Sequence, residues 1–509
     1  VAGVIFLGLS FIYVKRRRTG RSLYLFSLLW FFIALMPVSN LYPINAYMAE
    51  HWLYVPAIGF FLVLARIFER AIANKKYRIV AIVLCLALLG FYSSLTARQN
   101  RYWQSAFNFY QKTLEHTQGT SRIYNNLGMV LAKAGEHQKA IAAYEKAIAI
   151  KSDSAKIHNN LGLSYYHLRR IDQALASFNK AIELDPDYAR AYNNLGLTYS
   201  AINAEKQAVA AFKKAIQISP GLAEAYNNLG LAYGVLNKKE EAVELFKKAI
   251  FLNPDYGDAY NNLANIYSAL GEDELAQEIF KKAISTSPSL AQAHYNLGNQ
   301  YREQARHKEA LAEYKKAIAI DPGFAKAYNN MGLSFYMLGD KENAISSLKK
   351  AAQLDPALVE AYNNIGNFYS AQGKHLEAIE QYKKAIAADP KQADAYYNLA
   401  NMYVRLGEDQ LAIENYKKAV ECRPDYAAAY NNLGNRYRSL GKNDQAIQAY
   451  LKAIEADPNL AQAYYNVAVG YYRQQRYEEA IAYCDKAEEL GYANKRLLEL
   501  LTPYRKNNE

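Results

Sequence analysis

Apolar and polar positions repeat along most of the chain with a period of 34 residues. Repeat positions are counted here so that position 1 is Ser121, Ala155, Ala189 and so on. In eleven units from Ser121 to Asn494, position 8 is glycine or alanine, positions 20 and 27 are alanine, and positions 4, 11, 24 and 28 are mostly large. Both apolar sets have helical spacing. The pattern therefore predicts two antiparallel helices per unit, which approach closely at the small side chains.

Proline at position 32 ends the second helix in nine units and turns the chain into the next one. The repeated small positions, the Leu195-Gly196 step and this proline resemble the tetratricopeptide repeat (TPR). The predicted fold class is all-α: transmembrane helices followed by an α-α superhelix of eleven repeats, each contacting only its neighbours. The resemblance implies a right-handed superhelix whose first helices line the concave side.

Residues 1–98 contain apolar runs that predict about four membrane spans: 1–14, 22–37, 53–68 and 79–97. A spanning helix needs roughly 20 residues, so the first run is interpreted as truncated and the chain as part of a longer protein. The alternative, buried helices of a soluble domain, lacks the expected amphipathic stripe. Residues 99–120 are predicted as a half-repeat junction, because Trp103 to Glu115 matches the second half of a repeat. Residues 495–509 are predicted as a capping helix and tail.

The net charge of +12 is concentrated before the repeats. The first 120 residues have 13 Lys or Arg and 3 Glu, whereas residues 121–509 are nearly neutral with 47 basic and 45 acidic residues. This distribution disfavours nucleic acid as a partner. Basic short loops remain cytoplasmic, so the loops at residues 15–21 and 70–78 predict repeats on the exoplasmic side: periplasm, exterior or lumen. Arg98 and Arg101 argue mildly for the opposite orientation.

The loop between the second and third predicted spans contains a recognisable stretch, Met36 to Phe60. It resembles the transmembrane and TPR-containing family of glycosyltransferases at Pro37, Ser39, Asn40, Ala49, Glu50, Leu53, Tyr54, Pro56, Gly59 and Phe60. That resemblance implies polyprenyl-phosphate-sugar chemistry and protein O-mannosylation outside the cytoplasm. The family's catalytic acids lie in an early outer loop that has no counterpart in this sequence, so enzyme activity stays open.

Glu50 and His51 are weak candidates for contact with membrane lipids. His51 stands where that family usually has arginine. The alternative for Glu50 is an ordinary headgroup-level residue beside Trp52 and Tyr54, since aromatic residues line membrane interfaces without any chemistry.

Asparagine occupies position 6 in every unit. A carboxamide both donates and accepts hydrogen bonds, so a row of them suits an extended peptide backbone without reading its sequence. The row resembles the asparagine ladder in the TPR superhelix of the O-GlcNAc transferase family, which implies peptide binding. The alternative is a consensus residue for helix packing. The candidate residues are Asn126, Asn160, Asn194, Asn228, Asn262, Asn296, Asn330, Asn364, Asn398, Asn432 and Asn466.

Other positions carry less specific signals. Position 9 adds amides at Asn265, Asn299, Asn367, Asn401 and Asn435, and paired lysines at positions 25 and 26 predict a solvated outer face. We find no phosphate loop, HExxH or nucleophile elbow, and the three cysteines are far apart, so no catalytic residue, metal or cofactor is predicted.

Three functions are compatible with the sequence. The first is a membrane-anchored protein-interaction module that binds extended polypeptide in an asparagine-lined concave groove. The second is the substrate-recruiting C-terminal part of a membrane protein O-glycosyltransferase, similar to a mannosyltransferase. The third is a structural assembly scaffold. A protein or peptide ligand and membrane lipids are the expected partners.

Overall fold

The computed structural model describes residues 105–116, 120–492 and 494–505, together with 67, 69–80, 82–84, 86, 87, 90 and 94. The first two predicted spans, nearly all of the third, and Glu50 and His51 lie outside the described residues. Within the described part of the fourth, Ile79, Val80 and Val83 are helical and exposed. In the portion of the chain with a described structure, no helix combines the length and apolar character needed to cross a membrane. The spans stay a prediction.

The described residues from 105 onward form helices and no strand. This confirms the predicted all-α class and its tandem helical repeats. The helices are α1 (Ala106–His116), α2 (Ser121–Lys133), α3 (His137–Ile150), α4 (Ala155–His167), α5 (Ile171–Leu184), α6 (Ala189–Ser200), α7 (Glu205–Ile218), α8 (Ala223–Val235), α9 (Lys239–Leu252), α10 (Gly257–Ala269), α11 (Asp273–Thr286), α12 (Ala291–Glu303), α13 (His307–Ile320), α14 (Ala325–Met337), α15 (Lys341–Leu354), α16 (Val359–Ala371), α17 (His375–Ala388), α18 (Ala393–Arg405), α19 (Asp409–Cys422), α20 (Ala427–Ser439), α21 (Asn443–Ala456), α22 (Ala461–Arg473), α23 (Tyr477–Glu489) and α24 (Lys495–Arg505).

The chain divides into two compact units, residues 1–170 and 171–509. In the first unit, each of α1, α2 and α3 packs against the helix that follows it. In the second unit, every helix from α5 to α24 packs against its neighbours in sequence. From α6 to α18, the first helix of each repeat also contacts the first helix of the next repeat. The first helices of the second unit therefore form a continuous layer there.

Helix pairs approach closely because position 8 lies against the ring at position 24. A Cβ atom placed on Gly196 would lie 2.5 Å from the ring of Phe212, and one on Gly434 would lie 2.5 Å from the ring of Tyr450. Both rings are essentially buried, at 1% and 0% exposure. Complete burial of one large side chain contributes about 1.5–3 kcal/mol. This contact between the small residue at position 8 and the large residue at position 24 recurs along the array.

The turn between the two helices of a repeat has a left-handed residue at position 15. Gly135 has φ +79° and Gly441 has φ +72°, while Ala305 has φ +57° in the same place. The backbone then closes a Schellman motif: the N–H of Glu136 donates to the carbonyl of Leu131, and that of Gly135 donates to Ala132. Glycine suits this position because it adopts positive φ without steric cost.

The final helix covers the end of the last pair. Helix α24 packs against α23, and its Leu497 and Leu501 are 4% and 0% exposed. The rings of Tyr477 and Tyr504 are stacked with centroids 3.6 Å apart, and Arg505 forms an ion pair with Asp485. Terminal repeats need such a cover because their last apolar face has no following repeat.

Candidate functional site

The position-6 asparagines lie along the first helices and connect neighbouring repeats. Ten are half-buried, and Asn466 is buried with 3% exposure. Within the first unit, Asn160 Nδ2 donates to Asn125 Oδ1 at 3.0 Å. Within the second unit, the same bond to the position-5 asparagine of the preceding repeat recurs at 2.9–3.0 Å from Asn228, Asn262, Asn296, Asn364 and Asn466.

Tyrosine at position 5 accepts the same bond through its hydroxyl. Asn330 Nδ2 lies 3.1 Å from Tyr295 Oη, and Asn432 Nδ2 lies 3.1 Å from Tyr397 Oη. The geometry is therefore conserved along the array even though the acceptor changes. Sequence analysis placed the asparagines in a row but did not identify this connection, whose signal is a polar residue at position 5 of the preceding repeat.

Each connecting amide keeps part of its hydrogen-bonding capacity. A carboxamide has two N–H donors and an oxygen with two acceptor sites, and the bond to position 5 of the preceding repeat uses one donor. Asn296 and Asn330 also donate to position 9 of the preceding repeat, so their remaining capacity is on the oxygen. Some oxygens are also engaged: Asn228 Oδ1 accepts from Asn227 at 3.3 Å, and Asn330 Oδ1 accepts from Asn329 at 3.0 Å. The exposed remainder of the row offers donors and acceptors to a ligand.

The row is interrupted between the eighth and ninth repeats. Asn398 Nδ2 contacts Asn367 Oδ1 at 3.4 Å. Asn363 Oδ1, the acceptor expected from the other repeats, is buried and has no hydrogen-bond partner among the described residues. Leaving a buried acceptor unpaired costs about 1–3 kcal/mol. This is the one position-5 asparagine of the described chain with such an unpaired buried oxygen.

The position-9 asparagines pair with buried tyrosines. The hydroxyl of the position-24 tyrosine donates to the position-9 carbonyl in four repeats: Tyr314 to Asn299 at 2.8 Å, Tyr382 to Asn367 at 2.7 Å, Tyr416 to Asn401 at 2.5 Å and Tyr450 to Asn435 at 2.9 Å. Leu163, Leu197 and Leu231 occupy position 9 where position 24 is phenylalanine. The concerted change at residues 15 apart is a signal that sequence analysis overlooked.

These carbonyls are thus engaged within the repeat. Asn265 faces no tyrosine because position 24 of its repeat is Phe280, and it accepts from Asn296 Nδ2 of the next repeat at 3.1 Å. Asn299 also accepts from the next repeat, from Asn330 Nδ2 at 2.8 Å, as Asn367 does from Asn398. Burial raises the pKa of Tyr382 and Tyr416 above the ordinary tyrosine value, so both stay protonated donors at neutral pH.

The polarity of the first-helix face changes along the second unit. In the fourth repeat, Leu231 and Val235 are 44% and 69% exposed. In the tenth, Arg438 Nη1 donates to Asn466 Oδ1 at 3.1 Å, and Arg436 pairs with Asp409 at 3.1 Å. Burial raises the pKa of Tyr450 to about 12, against the opposing effect of Arg438, Arg436 and Arg473. Three guanidinium groups therefore act on one hydroxyl beside the last asparagines.

The paired lysines are exposed, and in four repeats the first of the pair lies over an aromatic ring of the next repeat. Lys213 Nζ is 5.6 Å from the ring centre of Tyr233, and Lys349 Nζ is 5.8 Å from that of Tyr369. Such cation–π contacts contribute about 0.5–1 kcal/mol at exposed sites. Among the described side chains, no group of three or more His, Cys, Asp or Glu is arranged to hold a metal ion.

Family models match most of the repeat array. A model described as TPR repeat matches residues 128–168, 206–237, 298–339, 335–373, 366–407, 400–435 and 434–475. Models described as tetratricopeptide repeat match residues 153–220, 223–256, 257–290 and 461–490.

Similar proteins include the O-mannosyl-transferase Tmtc3 of Drosophila melanogaster, 25% identical over 118 residues, or 22% of this chain and 12% of that protein. The O-mannosyl-transferase F38B6.6 of Caenorhabditis elegans is 31% identical over 134 residues, or 26% of this chain and 19% of that protein. The alignments thus span a small part of each relative.

Among solved structures, the crystal structure of MamA is 35% identical, covers 31% of this chain and 94% of its own, and has a TM-score of 0.30. With models matching nearly all of residues 128–490, the chain belongs to the tetratricopeptide-repeat family and resembles the transmembrane and TPR-containing O-mannosyl-transferases.

Proposed function

We propose that the repeats bind extended polypeptide along the row of position-6 asparagines. The observation that supports this is the half-buried row of amides, each with hydrogen-bonding capacity beyond its bond to the preceding repeat. Neighbouring helices lie about 8–10 Å apart, and an extended chain advances roughly 3.3 Å per residue. One amide then meets about every third residue of the ligand.

The change in polarity along the same face supports a ligand with mixed side chains. Leu231 and Val235 suit apolar side chains in the fourth repeat, whereas Arg438 and Arg473 suit acidic side chains near the end of the array. Contacts to the ligand backbone supply affinity that does not depend on the ligand's sequence. The apolar and basic regions of the face then favour apolar and acidic side chains of the ligand, respectively. Such a division favours a ligand class over a single partner.

Asparagine-to-alanine changes test the row, provided that the loss of a ligand contact is separated from the loss of a repeat connection. The test variant carries three changes together, Asn262→Ala, Asn364→Ala and Asn398→Ala. The matched control is Asn227→Ala and Asn329→Ala, which removes two acceptors of the inter-repeat bond and leaves Asn262 and Asn364 in place. The probe is fluorescein-labelled, reduced and carboxymethylated α-lactalbumin, a permanently unfolded acidic polypeptide.

We expect the test variant to bind this probe about tenfold more weakly, or about 1.4 kcal/mol, while the control binds as the unchanged protein does. Both variants should lose some stability. Equal affinity for all three proteins would reject the asparagine row as a binding site and favour the structural scaffold.

A second proposal is that the repeats recruit protein substrates for a membrane O-mannosyltransferase. The similarity to two proteins named as O-mannosyl-transferases supports it, as does the Met36 to Phe60 stretch. This proposal places the repeats on the exoplasmic side. Protease digestion of sealed vesicles tests the orientation: repeats protected in microsomes but cleaved after detergent addition are expected, and cleavage without detergent contradicts it.

A further inference from the structure

The second helix of the seventh repeat has smaller side chains than its counterparts. Position 24 is Leu348, where nine of the other repeats have tyrosine or phenylalanine, and position 28 is Ala352, where nine have isoleucine or valine. Positions 22 and 23 are Ser346 and Ser347. Reduced side-chain volume along one helix leaves space between that helix and its neighbours unless the backbone moves in to fill it.

A surface cleft of about 480 Å³ lies between α13, α14 and α15, and the small Ser346 and Ser347 line it on α15. Its apolar lining includes Ile318, Met331 and Phe335, and its polar lining includes Ser347, Lys315 and Lys350. The volume falls within the usual range for ligand pockets, about 300–1,000 Å³. No position-6 asparagine is among the lining residues, so the cleft is separate from the proposed polypeptide row.

The sixth and eleventh repeats have larger side chains at the corresponding place. In the sixth repeat, positions 4 and 23 are His294 and Glu313, and His294 Nδ1 lies 2.6 Å from Glu313 Oε2. In the eleventh, the same positions are Tyr464 and Tyr483, with ring centres 6.1 Å apart. In the seventh repeat position 23 is the small Ser347, which lines the cleft together with Ser346.

The two lysines at the cleft have no acidic partner among the described residues. Lys315 Nζ lies 5.8 Å from the ring centre of Phe335, and Lys350 Nζ lies 3.5 Å from the amide oxygen of Gln353. By contrast, Lys316 pairs with Glu313 at 2.7 Å and Lys384 pairs with Glu380 at 2.7 Å. Two uncompensated ammonium groups beside an apolar lining are complementary to a carboxylate adjacent to an apolar group.

We propose that this cleft binds an acidic segment of polypeptide, whose aromatic or branched aliphatic side chain enters between Ile318, Met331 and Phe335. Carboxylates flanking that side chain pair with Lys315 and Lys350, and the hydroxyl of Ser347 donates to the ligand backbone. The exposed lysines leave the cleft open to solvent, which suits a chain passing over the surface with one side chain inserted. This site does not depend on the asparagine row.

The test measures the affinity of the full chain for the fluorescein-labelled peptide Glu-Glu-Phe-Glu-Glu-amide by fluorescence anisotropy. Ser347→Leu fills the cleft with a residue that the array already tolerates at position 23, as Leu245 of the fourth repeat. Lys315→Glu with Lys350→Glu removes the charge complementarity. Lys282→Glu is the matched control, because Lys282 occupies position 26 of the fifth repeat and does not line the cleft.

We expect Ser347→Leu and the double lysine variant each to weaken binding about tenfold or more, and Lys282→Glu to change it less than about twofold. A peptide with alanine in place of phenylalanine should bind the unchanged protein about as weakly as the phenylalanine peptide binds the Ser347→Leu variant. Unchanged affinity in either cleft variant, or equal affinity of the alanine peptide, would overturn the proposal. So would binding of phosphatidylserine vesicles without any peptide binding, which would assign the lysines to a lipid surface. The lysine variant keeps the test valid if Ser347→Leu fails to fold.

Discussion

In the third and fourth repeats, the side chains at positions 9 and 24 of the two helices are both apolar. In the eighth to tenth repeats, the same two positions are joined by a hydrogen bond. Phe212 and Phe246 are buried in repeats that have leucine at position 9, while Tyr382 donates to Asn367 and Tyr450 to Asn435. The fold accepts both solutions because both fill the same volume. In these two groups of repeats positions 9 and 24 match, and a mismatch that leaves a buried hydroxyl without an acceptor is costly.

The largest expected effect comes from breaking one matched polar pair. Asn401→Leu removes the acceptor of the buried Tyr416 hydroxyl and should destabilise the ninth repeat by about 2 kcal/mol. Adding Tyr416→Phe creates the pair found in the third and fourth repeats and should recover most of that loss. Amide hydrogen exchange in α18 and α19 measures both changes locally. Additive effects in the double variant would contradict the matched-pair explanation.

Introducing the polar partner alone into the earlier region should cost less. Phe246→Tyr places a hydroxyl near Leu231, which is 44% exposed, so water is accessible and we expect a loss of about 1 kcal/mol. Leu231→Asn in the same chain should restore protection of α8 and α9 against hydrogen exchange. No recovery on adding Leu231→Asn would mean that the two regions differ in backbone spacing as well.

The helix-to-helix turns differ between the two regions as well. Position 15 is asparagine in the third and fourth repeats and glycine in the seventh to tenth, with Ala305 between them at φ +57°. Ala305→Gly should stabilise the sixth repeat by about 0.5–1 kcal/mol, because alanine is strained in the left-handed region. Gly373→Ala, at φ +75°, is the matched reverse change and should destabilise by a similar amount. Slower exchange in α12 and α13 confirms the first effect; faster exchange there refutes it.

The last effect is the pH dependence of the sixth repeat, which lies between the two regions. Burial works against ionisation of Glu313, but hydrogen bonds from His294 and Lys316 outweigh it and hold its pKa below the ordinary carboxylate value. Because this pKa is lower in the folded chain, the carboxylate stabilises the fold at neutral pH. The contribution disappears as the pH falls from about 5 through the folded-state pKa.

Glu313→Gln should therefore flatten the loss of stability of the sixth repeat below about pH 5, with a difference of about 0.5–1 kcal/mol. Hydrogen exchange of α12 and α13 at several pH values, corrected for the intrinsic rate, gives the comparison. Glu309→Gln serves as a control on the same helix, since Glu309 is exposed and pairs with Arg306. Identical pH profiles for Glu313→Gln and the unchanged protein would contradict this role.

The helical repeats could be predicted from the sequence because small and large side chains recur at fixed spacing. Each helix pair is also determined by contacts within its own unit and with the adjacent units only. The internal pairing of Asn401 with Tyr416 depends instead on two positions on different helices, and only geometry brings their polar atoms together. The hydrogen bond from Asn262 to Asn227 joins position 6 of one repeat to position 5 of the preceding repeat. Comparing position 6 alone among the repeats does not reveal it. The cleft beside Ser347 is lined by side chains of three helices from two repeats, and no sequence motif marks such an arrangement.

The amide bonds between repeats also determine where the stack yields under load. In a linear array under tension every interface carries the same force, so opening starts at the interface whose connection is weakest. Every described pair of repeats from the third to the eleventh is joined through positions 5 and 6 except the eighth and ninth, where the Asn363 oxygen is unpaired. A pulling experiment should then release the last three repeats as one block before the rest, because the longer bond from Asn398 to Asn367 replaces the usual connection there.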